Sequence, residues 1–70
     1  TNEVVITNQN REVTIKSEIT NLKIEVYNTV GQKVFETTNY NFTLNEVPAG
    51  AYFVKAFFNR VAETAKIVVE

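Results

Sequence analysis

The sequence predicts an all-β domain, an immunoglobulin-like antiparallel sandwich of about seven short strands. Three observations lead there. Apolar residues recur at every second position through nearly the whole chain, the period of a strand with one buried face. Gly, Pro and Asn interrupt that pattern at regular intervals, as turns do. With only 70 residues, the chain cannot supply the long crossovers that parallel pairing requires.

Each strand has its own signal. Val4 and Ile6 alternate with Val5 and Thr7, the polar run Asn8-Gln9-Asn10-Arg11 reads as a turn, and Val13 and Ile15 continue the alternation on the return. These two segments predict a hairpin. Leu22, Ile24 and Val26 alternate most cleanly, with Lys23, Glu25 and Tyr27 on the opposite face. Asn28-Thr29-Val30-Gly31 follows, with Asn at a position that suits a type I turn and Gly at the left-handed position that closes it. The return strand runs from Gln32 to Thr38 with Val34 inward, and Tyr40, Phe42 and Leu44 form another alternating segment. Pro48 and Gly50 mark the next turn, one by its fixed φ and the other by its freedom at positive φ. A long strand, Ala51 to Phe58, carries Tyr52, Val54, Ala56 and Phe58 on one face, and Asn59-Arg60 turns it into a last strand, Val61 to Val69. Ala62 to Lys66 reads locally as helix, but Thr64 and the β-branched run after it favour a strand.

Composition narrows the function. The chain is 44% hydrophobic and 21% charged, a globular balance, and it has no cysteine to staple a thin core or hold a metal. A domain this short buries only about 60% of the surface its unfolded chain exposes. Net charge is −1 and the Lys and Arg residues are scattered, so the basic stripe of a nucleic-acid binder is missing. The apolar runs Phe57-Phe58 and Ile67-Val68-Val69 are too short to span a bilayer, and direct membrane insertion is not expected. No charged-then-apolar leader opens the chain, and Thr1 reads as the start of a piece of a longer protein.

Catalytic equipment is sparse. The sequence contains no His, Cys, Asp, Met or Trp, and its only serine, Ser17, has no imidazole to activate it. Its acids are all Glu, spread singly along alternating strands, which reads as solvated outer-face positions rather than paired acid and base. Gly31 and Gly50 are isolated, so no phosphate-cradling loop is available. Asn41-Phe42-Thr43 fits a glycosylation acceptor pattern that recurs by chance. The chain is read as a non-enzyme with no cofactor and no metal.

Three segments together resemble one family. Ile24-Glu25-Val26-Tyr27-Asn28-Thr29-Val30-Gly31-Gln32-Lys33-Val34 is similar to an alternating strand, a turn and then Gly-Arg/Gln-x-Val. Val47-Pro48-Ala49-Gly50-Ala51-Tyr52-Phe53-Val54-Lys55 resembles Leu-Pro-x-Gly-x-Tyr-x-Val-Lys/Arg, and Lys66-Ile67-Val68-Val69 resembles a closing Lys-Ile/Val-Val-Val. Their order and spacing are those of the type A C-terminal sorting domain carried by cargo of the bacterial type IX (Por) secretion system. Members of that family usually end in Lys or Arg, where this chain has Glu70. The resemblance covers Leu22 to Glu70. It implies an immunoglobulin-like sandwich at the end of a larger exported protein, which crosses the periplasm and reaches the outer-membrane surface or is secreted. The implied partners are the outer-membrane translocon, a shuttle protein and a cell-surface sortase that removes the domain.

Candidate residues follow from both readings. Gly31, Val34, Pro48, Gly50, Tyr52, Val54 and Lys55 carry the family motif, and each also has a plain structural role in a turn or strand. Lys66, Ile67, Val68, Val69 and Glu70 are the candidate recognition signal, because a terminal strand with a free edge can be reached and captured. If Val34 and Val54 face inward, then Tyr27, Phe35, Phe53 and Phe57 face outward as an aromatic patch. Free edges also allow a homodimer by strand exchange. The alternatives are a carbohydrate-binding or adhesive sandwich module, and an inert spacer domain.

Overall fold

Strands that alternate apolar and polar side chains must hide one face each, and two sheets laid face to face do so. A computed structural model describes residues 4–70; Thr1 lies outside them. Among the described residues there are seven strands and no helix: β1 (Val4–Gln9), β2 (Glu12–Ser17), β3 (Lys23–Tyr27), β4 (Lys33–Thr37), β5 (Asn41–Thr43), β6 (Gly50–Phe58) and β7 (Val61–Val69). They form a three-stranded sheet of order β1-β2-β5 and a four-stranded sheet of order β4-β3-β6-β7. Every pairing is antiparallel. The sandwich expected from the sequence is the one observed.

The core lies between the sheets. Val13, Ile15 and Phe42 come from one side; Ile24, Val26, Tyr52, Val54, Ala56, Ile67 and Val69 come from the other. Register stacks them: Val26 lies opposite Val54, and Ile24 opposite Ala56. Leu22 and Leu44, on connecting segments, close the ends of this layer.

Both two-residue hairpins begin with asparagine in the left-handed region, Asn10 at φ 56° and Asn59 at φ 52°. Asparagine tolerates that conformation better than branched residues do. The first hairpin is tighter than the sequence suggests, since β1 pairs as far as Gln9 opposite Glu12. Between β3 and β4, Asn28 Oδ1 accepts hydrogen bonds from the Val30 and Gln32 amides at 3.1 and 2.9 Å, and Gly31 sits at φ 90°. A Cβ at Gly31 would meet no neighbour, so the glycine is needed for its backbone angle rather than for space.

Two long side chains tie the sheets together at their ends. Arg11 donates through Nη1 to the Leu44 and Val47 carbonyls at 2.9 and 2.7 Å. The Tyr40 hydroxyl donates to the Ile19 carbonyl and accepts from the Leu22 amide. Both satisfy backbone groups on loops that no ladder serves.

One expectation fails on β4. Val34 is 37% exposed, whereas Phe35 packs against the core and stacks on Phe42 with ring centroids 5.2 Å apart. The cause is a register shift: Val26 pairs with Phe35, but the next residue, Tyr27, pairs with Lys33. Val34 is therefore the extra residue of a bulge, and a one-residue slip exchanges the two faces of a strand. Phe35 leaves the outward patch. Consequently Phe35→Ala should destabilise the domain by about 2 kcal/mol, and Val34→Ala by roughly 0.5 kcal/mol or less. Urea unfolding of the two variants measures the difference.

Candidate recognition surface

The outer face of the four-stranded sheet is built in rows by its register. Lys23, Phe57 and Ala62 form one row; Glu36, Glu25, Lys55 and Thr64 the next; Lys33, Tyr27, Phe53 and Lys66 a third. Alternation thus places four lysines and three aromatic rings on one side of one sheet. The expected patch survives as Tyr27, Phe53 and Phe57, each half-buried among its neighbours.

Glu25 anchors this face. It lies directly opposite Glu36, a like-charge pair that would be destabilising alone. Lys23 Nζ lies 3.5 Å from Glu25 Oε2 and 3.3 Å from Glu36 Oε2. Lys33 Nζ lies 3.8 Å from Glu25 Oε2 and 2.7 Å from Glu36 Oε1. The Tyr27 hydroxyl also donates to Glu25 Oε1, and Glu25 is only 8% exposed. The Tyr27 hydrogen bond, helped by Lys33 and Lys23, holds the Glu25 carboxyl below its ordinary range although burial opposes it. Lys33 and Lys23 lower Glu36 likewise, and the bond to Glu25 raises the Tyr27 phenol. Lys55 completes the cluster, its Nζ 4.9 Å from the centre of the Tyr27 ring, within cation–π range.

The terminal strand is split between two jobs. Ile67 and Val69 are buried at 3% and 1%, whereas Lys66, Val68 and Glu70 are exposed. In the sheet, β7 pairs with β6 alone and is an edge strand. Its Val68 carbonyl accepts a hydrogen bond from Asn8 Nδ2 at 3.1 Å, so the end of the strand is held by the first hairpin. The sequence reading missed Asn8. Its signal was the alternation Val4, Ile6, Asn8, which sets a polar side chain at an inward position of a strand.

The motif residues serve the fold. Tyr52 and Val54 are buried, and Lys55 lies on the outer face. Pro48 and Gly50 flank the turn into β6, where the Pro48 carbonyl accepts the Tyr52 hydroxyl at 2.5 Å and Gly50 adopts φ 151°. A cleft of about 570 Å³ beside this turn is lined by Val34, Phe35, Leu44, Val47 and Pro48, with Thr43, Asn45 and Glu46 at its polar side. Among the described residues no three His, Cys, Asp or Glu side chains gather as metal ligands do.

The Glu25 cluster makes stability depend on pH in a defined direction. Carboxyls held low in the folded state give stability that is full above their ordinary value and lost as pH falls through the lowered one. Acidification from neutrality to about pH 3 should therefore weaken the parent chain more than Glu25→Gln. Urea unfolding of both chains across that range provides the check, and equal losses would remove Glu25 from the account.

The family model described as the secretion system C-terminal sorting domain matches residues 8–70. No curated protein matches the chain.

Proposed function

Because the chain belongs to the family of secretion system C-terminal sorting domains, we propose that it is the folded terminal signal of a larger exported protein. Membership itself gives the general part, a sorting signal for type IX export to the cell surface or the medium. In the proposed mechanism a shuttle protein and the outer-membrane translocon read the folded domain in the periplasm, and the cell-surface sortase then removes it. The domain supplies shape and a strand, and no chemistry is assigned to it.

The observation that supports this reading is the display of Lys66, Val68 and Glu70 along an edge strand while Ile67 and Val69 anchor the same strand in the core. A reader can touch the first set without unfolding the domain. Such an arrangement suits recognition by docking more than by threading. A glycan-binding module would draw on exposed Trp or Tyr with Asp beside them, and the sequence has neither Trp nor Asp.

Deleting residues 66–70 would be an ambiguous test, since it removes two core side chains. The outward set can be changed alone. In a bacterium with type IX machinery, a secreted reporter ending in this chain should reach the cell surface. The variant Lys66→Ala, Val68→Ser, Glu70→Ala should remain in the periplasm while keeping a thermal midpoint within about 5 °C of the parent. Cell fractionation and circular dichroism report the two halves. Normal surface delivery of the triple variant would remove Lys66–Glu70 from the recognition signal.

A further inference from the structure

The four sheet edges of this sandwich are not protected alike. On one sheet, β4 is only five residues long, carries the bulge at Val34, and bears the Lys33 and Glu36 charges. On the other, β5 is three residues long, and β1 runs six residues with Asn8 turned toward β7. Short length, bulges and charge are the usual ways of blunting an edge. By contrast, β7 pairs with β6 over nine consecutive positions with no register shift, from Gly50 opposite Val69 to Phe58 opposite Val61. It is long and regular, and among the described residues the side-chain hydrogen bond that reaches its backbone is the one at Val68.

The Asn8 bond fixes which backbone groups point outward. The Val68 carbonyl reaches Asn8 rather than β6, and in an antiparallel ladder both backbone groups of a residue point the same way, alternating along the strand. The N–H and C=O groups of Ala62, Thr64 and Lys66 therefore face the open side. These three residues are exposed, and their side chains stand on the outer face in the rows of Phe57, Lys55 and Phe53. Charge gives this edge a polarity. Lys66 has no carboxylate within ion-pair distance among the described residues. Glu63, three residues away, stands on the other face of the strand.

We infer that Ala62–Lys66 is a docking edge that takes an extended strand of the secretion machinery by antiparallel backbone pairing, with an acidic residue opposite Lys66 and a basic one opposite Glu63. This deepens the proposed function and rests on it. It places the main contact upstream of the last residues, because Asn8 already occupies the edge at Val68. Pairing supplies affinity through the backbone, and the two opposite charges set direction and register.

Two experiments test it. Thr64→Pro removes an outward N–H and places a ring where the added strand must lie, while leaving the ladder to β6 intact. The reporter carrying this variant should fall at least about tenfold in surface delivery with its thermal midpoint kept. Normal delivery of the folded Thr64→Pro reporter would overturn the docking edge, yet would leave the outward triple variant free to establish the sorting signal. The second experiment stands if proline disturbs folding. A synthetic peptide reading Glu-Val-Thr-Lys-Val, with polar flanks, should slow hydrogen exchange at the amides of Ala62, Thr64 and Lys66. Lys66→Glu should weaken that binding about threefold to fivefold, and replacing the peptide's Glu by Lys, with its Lys opposite Glu63 kept, should restore it. Unchanged exchange at those amides, or a doubled mass showing that a second copy already fills the edge, would refute the proposal.

Discussion

Five side chains with no solvent exposure sit where the two sheets face each other: Val13 on one side, and Ile24, Val26, Val54 and Ala56 on the other. This small contact carries the domain. The chain has no disulfide and no cysteine to hold a metal, so apolar burial between the sheets is the main force opposing chain entropy. Because it is small, each strand is committed to a single register. A slip of one residue anywhere in β3 or β6 would put Lys23, Glu25 or Lys55 into the layer that Ile24, Val26 and Val54 now fill.

That commitment frees the opposite face. Side chains that alternate out of the core cannot be chosen for packing, and they settle into charge pairs and half-buried rings. The Glu25 cluster, with two lysines between two carboxylates, steadies the bulged side of the sheet. The β7 side keeps a regular backbone and an uncommitted Lys66. The same sheet thus has a short, bulged and charged edge along β4 and a long, regular one along β7.

The alternation and the turn residues made most of this legible. Every strand could be read from apolar spacing, and the Asn59-Arg60 hairpin and the Asn28–Gly31 turn from residues that tolerate unusual backbone angles, whereas the first hairpin closes more tightly than its polar run suggests. The facing of β4 could not be read, because a bulge is a relation between two strands and leaves no mark in the spacing of either. Val34 and Phe35 are both apolar, so hydrophobicity could not choose between them. The burial of Glu25 was hidden for a similar reason. A single glutamate on an alternating strand reads as solvated until its register neighbours, Tyr27, Lys23 and Lys33, are known. Arg11 and Asn8 act across more than thirty residues of sequence, and only the closed sandwich brings them to their carbonyl partners.

The interleaving of buried Ile67 and Val69 with displayed Lys66, Val68 and Glu70 makes the last strand a built-in certificate of integrity. The two-sided form of the chain end depends on the core that buries Ile67 and Val69, so an unfolded chain does not present it. A partner that docked on those three outward groups, as proposed, would by the same contact sense whether the domain is folded.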